Sequence, residues 1–288
     1  MFGQSVASGN TIFWGDGTST TPTNTSQALL NHTYAEKGKY DITVENTSGY
    51  FFFGQSSTTK GLIFQDGITD GYQARFEHYC TILKRVELGN GWKSDEGRQF
   101  NACKDLQEVY INTKPNQTSI AGNMFLNCIS LTRVDGVSGW NNGITSIGNN
   151  AFSGCGLQKN IVFPNVTVLP TSYNAESTTG NAPLSEIELW EGLTKIGDSA
   201  FKNCQEVCEI IIPSTVTDIM ANAFNSCLGL EKLHLKPTVP PTVSNANAFT
   251  LGTNNNYSPF KIYVPSASLT DYQSASIWST WASYMVGE

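Results

Sequence analysis

The chain has 288 residues and 39% of them are hydrophobic, enough for one large core or two modest ones and unlike a disordered tail or a disulfide-stapled miniprotein. Only 14% are Asp, Glu, Lys or Arg, against roughly a quarter in an average globular chain, and Ser, Thr and Asn, a little under a third of the sequence, fill the gap as they do in secreted and cell-surface β-rich proteins. A formal charge of -7 without any Lys/Arg cluster excludes the basic patch a nucleic-acid partner requires, and no apolar run reaches the roughly 18 residues of a membrane helix.

No basic, apolar, small-residue leader opens the sequence, so the targeting segment is expected to have been removed and the compartment has to be inferred from the remainder. Residues 1–66 begin with the strand-like Thr11-Ile-Phe-Trp14, a Gly15-Asp16-Gly17 turn signal and, later, His32-Thr-Tyr34, Gly38 and the alternating Tyr40-Asp-Ile42-Thr-Val44. The alternation predicts a half-buried strand and the glycines a tight turn. Together these motifs resemble the PKD-like, immunoglobulin-type β-sandwich. The resemblance implies a small domain, either trimmed or merged through Phe51 to Phe64 with the first of the repeats.

From about residue 67 the chain repeats itself. Phe-x-x-Cys recurs at Phe100/Cys103, Phe125/Cys128, Phe152/Cys155, Phe201/Cys204 and Phe224/Cys227, and apolar residues tend to fall three, six and eight positions after the Cys, as in Leu106, Val109 and Ile111. Spacings of three predict one side of a short helical turn, and the +6/+8 pair a short strand with one face buried. Weaker copies start at Cys80, Asn181 and Asn256, giving eight units, and Ile120, Ile147, Ile196 and Ile219 mark a second extended segment in most coils. A unit this small cannot bury its apolar side alone, so the prediction is a solenoid with a ladder of short parallel strands. Segments such as Leu193-Thr-Lys-Ile-Gly-Asp-Ser-Ala-Phe-Lys-Asn-Cys204 resemble the BspA-like leucine-rich repeat family of bacterial surface proteins. Residues 67–288 are read as this solenoid, with a C-terminal cap over 265–288 signalled by Leu269-Thr-Asp-Tyr272, Trp278 and Trp281. Two polar excursions, Thr171 to Ala182 (where the Phe is missing) and Ser244 to Ser258, read as tolerated insertions or binding loops.

The chemistry-bearing residues are sparse. Equivalent cysteines in stacked coils lie within disulfide reach, but the apolar side of a turn favours buried free thiols. Cys204 and Cys208 lack the companions of a zinc site; Asp16 with His32 fits a turn and a strand better than a base and its orienter; and no nucleophile, phosphate-loop or metalloprotease motif occurs. The expectation is therefore no catalytic residue, no metal and no cofactor. With +6 and +8 buried, +5 and +7 face solvent. The +5 column reads Arg85, Glu108, Arg133, Asn160, Glu186, Glu209, Lys232, Lys261, and the +7 column Glu87, Tyr110, Asp135, Val162, Glu188, Ile211, His234, Tyr263. Tyr110, Trp190, Ile211, His234 and Tyr263 are the candidate ligand-binding residues, with cross-strand packing as the alternative account. The resemblance implies adhesion: a non-enzymatic surface or secreted protein, monomeric, whose partners are host or bacterial surface proteins. Glycan capture or a purely structural spacer are the alternatives.

Overall fold

The computed structural model describes residues 11–21, 35, 43–45, 50–52, 61–63, 73–75, 84–88, 100–111, 118–175, 184–249 and 260–288, and the chain divides into two compact units, Met1–Gly143 and Ile144–Glu288. The first unit opens with β1 (Thr11–Phe13), flanked antiparallel by β2 (Ser19–Thr20) and β3 (Thr43–Glu45). Ile12 and Trp14 are buried and Phe13 between them is exposed, the period-two signature of a strand with one wet face. Asp16 is spent on its own turn, its Oδ1 accepting from the Thr18 amide at 3.0 Å and the Thr18 hydroxyl at 2.6 Å. His32, Tyr34 and Tyr40 lie outside the described residues.

The connectivity then changes from antiparallel to parallel. The next strands are β4 (Tyr50–Phe52), β5 (Gly61–Ile63), β6 (Gln73–Arg75), β7 (Arg85–Leu88), β8 (Glu108–Ile111), β9 (Ser119–Ile120) and β10 (Arg133–Gly136). β4 pairs with β6, and β5, β7, β8 and β10 form one parallel ladder. Its register is the predicted one: Arg85, Glu108 and Arg133 share one row, and Val86, Val109 and Val134 the next. β5 joins in step through Leu62 beside Val86, so the ladder starts within residues 1–66.

In the second unit the strands are β11 (Ser146–Ile147), β12 (Lys195–Ile196), β13 (Glu209–Ile212), β14 (Asp218–Ile219), β15 (Lys232–Leu235), β16 (Thr242–Val243), β17 (Lys261–Val264) and, after the helix α1 (Leu269–Ser274), β18 (Met285–Gly287). The seven from β12 to β18 form two parallel ladders, β12-β14-β16 and β13-β15-β17-β18. The first aligns Ile196, Ile219 and Val243, which realises the second extended segment of each coil; the other aligns Ile210, Leu233, Ile262 and Met285. All seven are buried, and this is the core that a single coil could not make. Gly197 permits the close stacking: a Cβ there would lie 2.4 Å from the Leu169 carbonyl oxygen of the preceding coil.

Between strands the chain makes successive i to i+3 turns, such as the Cys103 amide on the Phe100 carbonyl and the Leu106 amide on the Cys103 carbonyl, both 3.1 Å, and α1 is the one α-helix among the described residues. The expected helical turns do not propagate because left-handed residues interrupt them. Asn123, Asn150, Ser199 and Asn222, two before each Phe, and Ala102, Asn127, Asn203 and Ser226, one before each Cys, have φ between 55° and 66°. Asn tolerates that region better than other residues with a Cβ, which gives part of the high Asn content a structural cause.

The repeated cysteines 103, 128, 155, 204 and 227 are buried free thiols; Cys80 lies outside the described residues. Burial pushes the Cys128 thiol well above its ordinary value, so it stays protonated and donates to the Phe100 carbonyl of the previous coil at 2.9 Å. Cys227 repeats the contact on Phe201 at 3.2 Å. The Phe rings stack along the coils: Phe100 on Phe125 at 5.3 Å in the first unit, and in the second Phe201 on Phe224 at 5.6 Å and Phe224 on Phe249 at 5.2 Å.

One coil departs from the pattern. Asn160, expected to face solvent, is buried, and its side chain accepts from the Glu188 amide at 2.7 Å and donates to the Glu188 carbonyl at 3.0 Å. The bridge from Lys159 to Glu186 shows why: this coil reaches its strand one residue early, so position 160 takes an inward slot and Val162 leaves the outward row. The missing Phe is replaced within the excursion. Tyr173, fully buried, fits edge-on between Phe152 at 5.8 Å and Phe201 at 5.9 Å, and its hydroxyl donates to the Ile161 carbonyl. Residues 171–175 are thus coil, not loop, while 176–183 lie outside the described residues. Phe249 likewise makes residues 244–249 part of a coil.

The cap ends the aromatic column. Trp278 and Trp281 pack on Phe249 at 5.9 Å and 5.8 Å. The polar tips of Tyr272, Ser268 and Trp278 donate to the carbonyls of Pro237, Thr238 and Pro241 at 2.8, 2.7 and 2.7 Å. The cap therefore satisfies acceptors of a proline-containing segment as well as covering its rings.

Candidate recognition surface

Outward positions of a strand ladder form rows, because successive coils repeat at the sheet spacing of roughly 4.8 Å. On the first unit the rows are charged and self-paired: Arg85 lies 4.0 Å from Glu108, and Arg133 2.7 Å from Asp135. The Arg133 hydrogen bond and the Gly136 amide hold the Asp135 carboxyl below its ordinary value. Tyr110 sits half-buried between Glu87 and Asp135 in the row, a position that cross-strand packing accounts for. On the second unit, Lys159 reaches both Glu186 at 2.7 Å and Glu188 at 2.6 Å. Exposed pairs of this kind stabilise by about 0–1 kcal/mol.

Trp190 does not belong to this surface. It is buried, and its indole N–H donates to the Val166 carbonyl at 2.8 Å. Extending the alternation one residue past the strand places it outside, but the chain turns there and the indole folds back onto the preceding coil.

The remaining three candidates come together. Pairing across the ladder aligns Ile211, His234 and Tyr263 and adds Val286 from β18. Ile211 is 42% exposed and Val286 38%. His234 and Tyr263 lie ring on ring, 4.5 Å apart and tilted by 11°. The imidazole also meets two carboxylates: Nδ1 is 3.1 Å from Glu288 Oε2, and Nε2 is 3.3 Å from Glu209 Oε1. The next row holds Glu209, Lys232 and Lys261, and the exposed Tyr284 lies just before β18 with its ring packed at 5.8 Å on Phe260. Sequence reasoning misses Tyr284, Val286 and Glu288, because β18 comes after a Trp-rich helical segment without the Phe-x-x-Cys marker. Met285-Val286-Gly287 has no apolar/polar alternation to signal it, although its burial in the fold runs buried, exposed, half-buried.

The family model for the BspA type leucine rich repeat region matches residues 31–158 and 138–258 in 6 copies. The chain belongs to this family. The BspA-type repeats account for the parallel ladders and their period, and β17, beyond the matched residues, carries the ladder into the weaker unit at Asn256. Among solved structures, the chain is similar to a leucine-rich repeat protein from Bacteroides ovatus, at 23% identity over 62% of this chain and 37% of that one with a TM-score of 0.33. It is similar also to a leucine-rich repeat protein of T. pallidum, at 16% identity over 68% and 77% of the two chains with a TM-score of 0.40. A leucine-rich cell surface protein of Faecalibacterium prausnitzii matches at 14% identity over 82% and 90%, with a TM-score of 0.27. The chain spans just over a third of the length of the Bacteroides protein. No curated protein sequence matches it.

Chemically, the BspA-type surface offers carboxylates, ammonium groups, a phenol stacked on an imidazole, and two exposed aliphatic side chains. Cys204 is buried while Cys208 is exposed, so the pair does not converge on a shared ligand. Among the described residues, no helix is long and apolar enough to cross a membrane.

Proposed function

We propose that this BspA-type repeat protein is a non-enzymatic, extracellular or surface-displayed recognition protein of a bacterium, and that it holds a protein partner on the outward rows of β13, β15, β17 and β18. The observation that carries this reading is the continuous row Ile211, His234, Tyr263 and Val286 on an otherwise polar sheet. Apolar and aromatic side chains rimmed by charges are the usual composition of an interface centre, and repeat arrays present such rows as extended surfaces. The antiparallel sheet around Trp14 is proposed to be a PKD-like module, on the strength of the Trp14-Gly15-Asp16-Gly17 turn.

The test is a binding screen of the purified chain against host matrix glycoproteins and a polysaccharide array, beside an Ile211→Asp/Tyr263→Ala variant whose melting matches the parent. A protein hit that the variant loses supports the reading; a hit that it keeps moves the site elsewhere. The exposed ring of Tyr284 favours a second reading, stacking on a sugar. That reading predicts array hits that Tyr284→Ala abolishes and Ile211→Asp spares.

A further inference from the structure

Two cations stand side by side on this surface. Lys232 and Lys261 are direct partners in the parallel ladder, so their side chains leave the sheet about 4.8 Å apart. Like charges placed opposite one another destabilise a sheet. Among the described residues, Lys232 has the Glu209 carboxylate at 3.9 Å and Lys261 has none within ion-pair reach, while Glu209 also lies 3.3 Å from His234 Nε2, which makes no hydrogen bond. The other acid of the patch, Glu288, is turned to His234 as well, with both its oxygens within 3.2 Å of Nδ1. Glu288 is thus turned to the imidazole, Glu209 is shared between Lys232 and His234, and Lys261 is left facing outward, in the row beside the one that holds Ile211, Tyr263 and Val286.

We infer that the occupant of this face is an extended acidic segment of a protein partner, in which a carboxylate and an apolar side chain alternate at positions i and i+2. Side chains two apart on an extended chain are separated by about 6.6 Å, the same interval that separates the lysine row from the Ile211–Val286 row. A partner strand running along β15 and β17 then sets its carboxylate across Lys232 and Lys261 and its apolar side chain on Ile211, Tyr263 or Val286. The inference rests on the recognition reading above and adds the partner's chemistry to it.

The test uses the full chain and fluorescein-labelled peptides in which Asp and Val take turns at every second position with Ser between them; a matched peptide carries Lys in place of Asp. Fluorescence anisotropy is expected to show the Asp peptide binding about tenfold tighter than the Lys peptide, since two charge-assisted contacts are gained by one and repelled for the other. Binding weakens as salt rises from about 0.05 M to about 0.5 M, and a Lys232→Glu/Lys261→Glu variant with unchanged melting reverses the preference. Failure of the Asp peptide to bind, equal binding of the two peptides, or an unchanged preference in the charge-reversed variant overturns the inference. If the inference falls while an Ile211-dependent matrix-protein hit persists, the recognition reading stands without it. If the hit is missing too, both fall.

Discussion

The coils built on Phe201, Phe224 and Phe249 and the coil that carries Asn160 and Tyr173 solve one problem with different chemistry. In the regular coils, rings stack nearly face to face, with interplanar angles of 6° and 12°, and alternating strand residues fill the rest. In the irregular coil, Tyr173 enters edge-on at 84° and 89° to its neighbours, and a side-chain amide and a phenol stand in for apolar contacts. A solenoid coil can therefore lose its strand register and its Phe and still transmit stacking from one neighbour to the next, provided the replaced groups find hydrogen bonds. The regular coils are held by area; the irregular one adds the hydrogen bonds of Asn160 and Tyr173 and leaves the buried Asn174 Oδ1 unpaired among the described residues.

Mutations can sharpen that contrast. The largest expected effect is Phe224→Ala, which removes a fully buried ring from between two others; a loss of about 3–5 kcal/mol in urea unfolding is expected, and a loss under about 1 kcal/mol would show that stacking is not what holds these coils. Asn160→Ala comes next, at about 1–3 kcal/mol, because it strands the amide and carbonyl of Glu188; amide exchange at Glu188 should accelerate well before global unfolding. Tyr173→Phe keeps the ring and removes the hydroxyl from the Ile161 carbonyl, for about 1 kcal/mol by the same measurement. Ala102→Gly acts in the opposite direction: Ala102 sits at φ 59°, and relieving that conformation should stabilise by about 1 kcal/mol, visible as a raised Tm.

The smallest effect concerns pH. Hydroxyl donors from Thr242 and Thr217 hold the Asp218 carboxyl below its ordinary value. A group depressed in the folded state contributes stability that is present above its unfolded pKa and is lost as pH falls through its folded pKa. Asp218→Asn should therefore lower Tm slightly at neutral pH, match the parent at pH values below the folded-state pKa, and so flatten the acid limb of the Tm-versus-pH curve.

Much of this is legible in the residues. Phe-x-x-Cys with apolar positions at +3, +6 and +8 points to the ladder because burial in a stacked coil leaves a spacing that composition cannot imitate, and the pairing of Val86 with Val109 and of Leu233 with Ile262 obeys it. The irregular coil is opaque for the same reason: Asn160 shifts by one position, and a one-residue slip turns every side chain to the other face. Tyr173 reads as part of a polar excursion because its neighbours are polar, although a ring between Phe152 and Phe201 is what the column requires. At the surface, alternation places Ile211, His234 and Tyr263 but fails at Trp190, where the strand has already ended. Val286 escapes it since β18 belongs to no repeat. The convergence of Glu209 and Glu288 on His234 joins residues 54 positions apart, and no local pattern contains it.

The left-handed corners also bear on how such a sequence can change over generations. A position such as Asn222, with φ 56°, rejects Val, Ile and Thr because of the hand of the backbone rather than the volume available, and accepts Gly, Asn and Asp readily. Two corners of this kind recur in a coil, whereas the exposed residues around them are free of that constraint. Randomising Asn222 and the exposed Glu206 in one library should return a short alphabet at the first and a broad one at the second, so that drift in this family is paced by its corners as much as by its core.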